Sequence, residues 1–551
     1  MAFKEVLRLL GVNFIVFALV LLIPLGLAAY YQFITPELHP QPHSTFAFFV
    51  TFILSISLGV FCYIVGQGAV GKIYKKEAIL IVVIMWFITP ALAALPLLLN
   101  GTVDTITQAY FEMTSGLSTT GSTVFYPKKY DDKTGQEIPY LMEVKEGSIT
   151  TRYQFFGTID PVRDPSTFEI KYEGIEAVGK AILFWRSFIQ WIGGLGIIVI
   201  FIIIFPSVGL GGKFLFQSEG TSALKEALVP RVAETALQFF IIYSSLTLLQ
   251  MILLKTTNSQ MEWLDVITIP LSTLPGGGFS IRNASIGYYQ NTATDIIVTI
   301  FMALGSTSFT VYYFAVRGKF YKIYKPELIL YIVLLFSACG LGAWFLVGSE
   351  KQLLTGNPDD TSLFTIPSAI RYAFFQVVSS QTSTGFSTAN YDIWPYSIQA
   401  IMVVVMFIGG MSGSTAGGLK TIRSYIFFQI ARFRTESLFR SDPIRQFKIP
   451  GQEIDSITAT MVLSVICVWI AASTLGTFLY ILNGVDQQTA FGLVACMVNN
   501  TGLSFRMAGP TQSCAFLSDF GLVLSSLLML LGRLEFFAVL AILVPAFWRS
   551  S

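Results

Sequence analysis

Long apolar runs separated by short polar segments set the pattern of this chain. Ten runs reach the ~20 residues that a helix needs to cross a bilayer: 10–33, 44–66, 77–99, 177–205, 233–254, 293–316, 326–348, 396–430, 455–482 and 518–547. The first follows Lys4 and Arg8, yet its length and the lack of a clear small-residue cleavage site mark it as a retained helix rather than a removable signal. Loop charge sets the orientation. With the N-terminus in the cytoplasm, the inside loops hold Lys72, Lys75 and Lys76, then Lys213, Lys225 and Arg231, then Arg317, Lys319, Lys322 and Lys325. The last inside loop holds Lys420, Arg423, Arg432, Arg434, Arg440, Arg445 and Lys448, whereas the first outside loop, 34–43, has no Lys or Arg. The pattern predicts an all-α polytopic membrane protein with ten transmembrane helices and both termini cytoplasmic.

The outside segments carry a second pattern. After the hairpin 10–66, each pair of runs flanks a short amphipathic stretch and then a polar tract. The tracts are Ser118-Thr119-Thr120-Gly121-Ser122-Thr123, Pro275-Gly276-Gly277-Gly278-Phe279-Ser280, Thr382-Ser383-Thr384-Gly385-Phe386-Ser387 and Asn499-Asn500-Thr501-Gly502-Leu503-Ser504. Gly holds the fourth place in each, and Ser or Thr the sixth. The intervals between those Gly residues are 157, 107 and 117, and the first is long by about the size of a charged insert, 124–176. The chain therefore reads as an internal fourfold repeat. Its predicted units are an N-terminal hairpin, 1–70, and repeats over 71–206, 207–318, 319–452 and 453–551.

Composition narrows the class. Hydrophobic residues make up 53% of the 551 and charged residues 12%, against roughly 25% charged in an average soluble protein. A soluble globular or disordered chain is excluded. Lys+Arg 35 against Asp+Glu 33 leaves only +2, which excludes a nucleic-acid binder. The five Cys are scattered and read as small core residues. His39 and His43 share one loop, so no His-based catalytic centre exists elsewhere. The insert mixes seven basic with ten acidic residues, and its alternating stretches, Ile149 to Phe156 and Phe168 to Tyr172, predict an extracellular β-hairpin cap.

Irregular backbone at membrane depth survives only where protein buries it or a water-filled cavity meets it. Four such segments around one axis offer that cavity, and their carbonyls can replace the hydration shell of a cation. Gly serves where successive carbonyls must face one way, and Ser and Thr hydroxyls add oxygen ligands. No Asp or Glu lies in the tracts, which disfavours a site for divalent ions.

At these residues the chain resembles the Trk/Ktr/HKT superfamily of potassium transporters, in its bacterial Trk branch. Further matching stretches are Trp185-Arg186-Ser187, Trp191-Ile192-Gly193-Gly194-Leu195-Gly196, Pro230-Arg231-Val232-Ala233-Glu234-Thr235, the Gly-rich run from Gly409 to Lys420, and Leu531-Gly532-Arg533-Leu534-Glu535-Phe536-Phe537. The leading hairpin also resembles that branch. The resemblance implies a pseudo-fourfold pore in one chain, with each repeat built as helix, pore helix, filter, helix. It implies potassium bound at Ser118, Thr119, Thr120, Gly121, Gly276, Gly277, Gly278, Thr382, Ser383, Thr384, Gly385, Asn499, Asn500, Thr501 and Gly502. Sodium-selective plant relatives carry Ser in the first repeat, where Gly121 stands here. The second tract departs from the common pattern, because Pro275 precedes three Gly. The resemblance also implies a homodimer in the bacterial inner membrane, controlled by a cytosolic nucleotide-binding Trk regulatory subunit, with no nucleotide on this chain.

The eighth run contains five Gly, two Ser and one Thr over 409–418. Each Gly costs about 1 kcal/mol in a helix interior relative to Ala. One reading is close packing of small residues between helices; the other is a functional break. The resemblance implies an intramembrane loop that blocks the pore, a role carried here by Gly409, Gly410, Gly413, Gly417 and Gly418. Arg533 lies midway along the tenth run, where insertion scales put its cost at ~2.5–3.5 kcal/mol. It reads either as a structural salt bridge or as a fixed positive charge below the filter that pairs with carbonyls of the broken helix. Glu535, two residues on, is off its helix face. Glu112 and Asp265 read either as mouth charges that attract cations or as local pairs, and Asp104 and Asp486 as N-caps. The basic stretch 420–452 reads as positive-inside topology or as a docking surface for the regulator. A potassium symporter coupled to protons or sodium is the alternative function. An enzyme would need a catalytic cluster that the chain lacks.

Overall fold

The structure is a computed structural model that describes residues 2–35, 44–68, 75–131, 133–167, 169–203, 228–324, 326–355, 362–439, 447–449, 452–454 and 456–549. His39, His43, Lys72, Lys213, Lys225, Lys325, Arg440 and Arg445 lie outside the described residues.

Six helices among the described residues are long and apolar enough to cross a membrane: Phe3–Ile34, Ser44–Val65, Lys76–Leu99, Glu234–Thr257, Pro326–Leu346 and Ala459–Leu482. They fall on six of the ten predicted runs. The run 177–205 forms a helix over Lys180–Ile203. The remaining three runs are interrupted, whereas the sequence singled out only one of them.

The leading helices, α1 (Phe3–Ala29) and α2 (Ser44–Val65), pack antiparallel. A Cβ added at Gly11 would lie 2.5 Å from the Tyr63 nitrogen, and one at Gly59 would lie 2.9 Å from the Ile15 nitrogen. Small residues let these backbones approach where lipid supplies no hydrophobic drive. Helix α3 (Lys75–Leu99) follows them.

Four short helices precede the four tracts: α4 (Ile106–Leu117), α7 (Trp263–Thr273), α11 (Ile366–Gln381) and α15 (Gln487–Asn499). Between them run α5 (Lys180–Ile203), α6 (Leu228–Thr257), α8 (Thr292–Gly305), α9 (Phe309–Val316) and α10 (Pro326–Leu346). After the third tract come α12 (Tyr396–Ile408), α13 (Thr421–Ser437) and α14 (Ser456–Leu482). After the fourth come α16 (Asp519–Arg533) and α17 (Phe537–Leu543).

Two runs expected to be continuous are bent. Helices α8 and α9 meet at 93°, and α16 and α17 at 108°. The first bend falls on Ser306-Thr307-Ser308, where backbone groups leave the helix ladder for residues 411–415. The second falls on Leu534-Glu535-Phe536, with Glu535 and Phe536 at φ 54° and 58°. Arg533 is therefore the last residue of α16 and sits at a bend, not midway along a straight helix.

Asp486 caps α15, accepting from the Thr489 N–H at 2.9 Å. Asp104 does not cap α4. Thr105 does so, accepting from the Gln108 N–H, and Asp104 pairs with Lys128 at 3.2 Å. The hydroxyl suits that position because it already lies beside the free amides of the first turn.

The insert forms antiparallel strand pairs, as its alternation predicted. Strands β1 (Lys129–Tyr130) and β2 (Glu137–Ile138) pair, β3 (Tyr140–Glu146) pairs with β4 (Ile149–Phe155), and β5 (Val162–Arg163) pairs with β6 (Ile170–Tyr172). Alternation puts Tyr140, Met142, Tyr153 and Phe155 on one face, which packs on Met507, Ala515 and Phe516 near the chain's end. Burial pushes the Tyr126 phenol up to about 12, so it stays protonated and donates to Gln512 Oε1 at 3.2 Å.

The α1–α2 contact makes a prediction. Gly11→Val forces a side chain into the Tyr63 backbone, at a cost of about 1–3 kcal/mol. Thermal melting of the detergent-solubilised protein should shift down; an unchanged melting temperature would show that this hairpin is not close-packed.

Candidate functional site

The four tracts have one backbone. Thr119, Gly276, Ser383 and Asn500, each two places before the shared Gly, all take positive φ, as do Gly121, Gly278, Gly385 and Gly502. In each, the residue before that Gly donates its N–H back into the preceding short helix. The bonds are Thr120 to the Ser115 oxygen (2.9 Å), Gly277 to Ser272 (2.9 Å), Thr384 to Ser379 (2.9 Å) and Thr501 to Cys496 (3.0 Å). The Gly-rich second tract is thus no structural departure. Gly276 adopts the conformation that Thr, Ser and Asn adopt elsewhere, where an L side chain is disfavoured.

The tracts meet in a closed ring. A Cβ at Gly121 would lie 2.0 Å from the Gly277 oxygen, and one at Gly278 1.9 Å from the Thr384 oxygen. One at Gly385 would lie 2.7 Å from the Thr501 oxygen, and one at Gly502 2.4 Å from the Thr120 oxygen. Each tract touches the next, and the last touches the first. Only Gly permits such approach, because the backbones occupy the space of a side chain.

Each tract has a different support behind it. Asn500 donates to Thr120 Oγ1 and to the Met529 oxygen, both at 2.9 Å. The Ser383 hydroxyl accepts from the Gly417 N–H at 2.6 Å. Gly276, where the other tracts carry Thr, Ser and Asn, has no side chain to offer, and Gln190 of α5 fills in: its amide donates to the Gly277 oxygen at 2.7 Å and accepts from the Phe279 N–H at 3.2 Å. Sequence reasoning missed Gln190. Its signal was an amide near the middle of an apolar run.

Glu112 and Asp265 are local pairs rather than mouth charges. Glu112 is 0% exposed, pairs with Arg186 at 2.8 Å, and accepts from the Thr123 hydroxyl and the Val124 N–H. Arg186 also donates to the Ser280 oxygen at 3.2 Å, joining the first tract to the second, between the rings of Phe125 and Phe279. Asp265 pairs with Arg282 at 2.7 Å. A cavity of about 110 Å³ lies against the ring, lined by residues that include Ser122, Arg186, Ser280, Arg282 and Ser504, and among the described residues no carboxylate lines it. Glu112 and Asp265 instead pair with Arg186 and Arg282, two arginines of its wall.

The Gly-rich segment is a loop between α12 and α13, not a helix. Leu419 donates to the Phe407 oxygen at 3.1 Å and Thr421 to the Gly410 oxygen at 3.0 Å, which closes its neck where Gly409 and Gly418 touch. A Cβ at Gly417 would lie 1.9 Å from the Asn499 oxygen, and Gly410 abuts Ser306. The α8–α9 bend receives the rest: Met411 donates to the Ser306 oxygen at 3.1 Å, and Phe309 to the Gly413 oxygen at 3.0 Å. The Thr415 hydroxyl bonds to the Leu274 oxygen at 2.8 Å.

Arg533 joins this loop to the first tract. Its guanidinium donates to Thr119 Oγ1 and, at 2.7 Å, to the Thr415 oxygen. It is 8% exposed, and Glu535 pairs with Arg423 instead. Lys420, expected on the cytoplasmic surface, donates back to the Ala416 oxygen, and Arg423 is buried in its pair.

A family model described as TrkH, cation transport protein, matches residues 167–549. The chain belongs to this TrkH family. It is 29% identical over 558 residues to the Trk system potassium uptake protein TrkH of Halomonas elongata, and 28% identical over 564 residues to TrkH of Escherichia coli, covering all of each. It also resembles the crystal structure of the potassium transporter TrkH from Vibrio parahaemolyticus, with TM-score 0.78 and 26% identity over the whole of both chains. It is a multi-pass membrane protein.

Glu112→Gln leaves the Arg186 charge buried beside a neutral amide. Stability should fall by about 3–5 kcal/mol, the usual cost of breaking a buried ion pair. Chemical denaturation in detergent would measure it, and a loss below about 1 kcal/mol would show that the pair is solvated.

Proposed function

We propose that the chain carries potassium ions inward across the bacterial cytoplasmic membrane, through a pore along the axis of the tract ring. The carrying observation is the ring itself: four tracts of one backbone, each at the C-terminal end of a short helix. A helix C-terminus bears roughly −0.5 of a charge, so four of them aimed at one place favour a monovalent cation. The tract residues named above, from Ser118 to Gly121, Gly276 to Gly278, Thr382 to Gly385 and Asn499 to Gly502, supply neutral carbonyl and hydroxyl oxygens. Such ligands suit potassium as the substrate. The described residues around the adjoining cavity include no carboxylate, which fits a monovalent rather than a divalent ion.

The gate in this reading is the loop with Gly409, Gly410, Gly413, Gly417 and Gly418. It lies against Ser383 and Asn499 and is held by Arg533, which places a fixed positive charge next to the first tract. Opening requires the loop to release these bonds. The proposal extends to a leading hairpin with four pore repeats, ten membrane crossings, cytoplasmic termini and a homodimer. It includes a cytosolic nucleotide-binding Trk regulatory subunit. Arg432 and Arg434 on the exposed end of α13 offer that subunit a basic surface.

Expression in cells that lack their own potassium systems tests the reading. Potassium and rubidium uptake should exceed sodium uptake clearly; equal sodium uptake would sink it. Arg533→Ala should raise basal flux severalfold without more protein in the membrane, because both the charge and the loop's tether are lost. Flux at or below the parent level, with normal abundance, would remove Arg533 from the gate.

A further inference from the structure

We infer that Tyr153, in the extracellular insert, is a positioning residue that fixes the fourth tract and so takes part in cation selection; this rests on the potassium reading above. Three observations support it. First, the Tyr153 hydroxyl donates to Asp486 Oδ1 at 2.5 Å and accepts from the Asp486 N–H at 2.8 Å, in a buried site. Asp486 is the cap of α15, so the residue that starts the fourth short helix is held across 333 positions of sequence. The other starts differ. Thr105 caps α4 by itself, and Glu262 and Thr365, before α7 and α11, make no side-chain cap bond.

Second, α15 delivers the tract directly. Its 13 residues run from Gln487 to Asn499, the first tract residue. At 1.5 Å per residue it is a rod of about 20 Å, and a shift or tilt at its start is transmitted to the carbonyls at its end. Third, this junction closes the ring. The fourth and first quadrants are the pair that the chain does not join in sequence, and Asn500 reaches Thr120 across it. Tyr153 lies in the first repeat, so its bond ties the two from outside while Phe516 packs on its ring at 5.3 Å.

Tyr153→Phe keeps the ring and its packing and removes only the hydroxyl. The readout is the ratio of rubidium to sodium uptake, which protein abundance does not change. The ratio should fall roughly threefold or more, in line with the loss of one buried hydrogen bond. Asp486→Ala, which removes the same link from the other side, should lower it too. Tyr126→Phe breaks a different bond across the same junction, to Gln512, and should leave the ratio near the parent value. An unchanged ratio in both Tyr153→Phe and Asp486→Ala overturns the inference, and so does an equal fall in Tyr126→Phe. A parent protein that carries no potassium would instead overturn the underlying reading.

Discussion

The close approach of four glycine Cα atoms to four neighbouring carbonyls is the constraint on which the rest depends. Each contact leaves no room for a methyl group, so each tract fixes how closely its neighbour can lie. That closeness explains the effort around them. The short helices end where the tracts begin, the same N–H bond ties each tract to its helix, and a different side chain braces each from behind. It also explains the buried ion pairs. Glu112–Arg186 and Asp265–Arg282 fix the segments that leave the ring, and their charges are spent on each other rather than on the cavity beside it.

The membrane class, six of the spans and the four tracts were legible because they rest on local signals: run length, composition and a repeated Gly. So was the insert, through alternation at Tyr153 and Phe155. The bends at Ser306–Ser308 and Leu534–Phe536 were hidden, since hydropathy is blind to where backbone groups find partners. Met411 and Phe309 bond across the first bend, and those partners are about a hundred residues apart. Glu112 and Asp265 had two readings because the deciding residues, Arg186 and Arg282, come from elsewhere in the chain. Gln190 was overlooked for the same reason: the Gly277 oxygen it serves lies 87 residues away.

Loop 409–418 illustrates how a weak local signal becomes a strong one in three dimensions. Five glycines in one run were compatible with helix packing. In the fold three of them sit where a Cβ would come within about 2.6 Å of another atom: Gly409, Gly410 and Gly417. The loop also bonds to Leu274, just before the second tract, and to Ser383 of the third, abuts Asn499 of the fourth, and is joined to the first by Arg533. It is therefore a single element in touch with all four quadrants, which no side chain could be.

Because one polypeptide supplies all four quadrants, a substitution changes the residue in one of them and leaves its counterparts in the other three as they were. A four-subunit ring would receive every change in quadruplicate. The second tract already exploits this freedom, with glycine backbone and a borrowed Gln190 amide where the others use Thr119, Ser383 and Asn500. Variation can accordingly proceed one quarter at a time, each step graded rather than all-or-none, and the four sides of the ring need never have become alike.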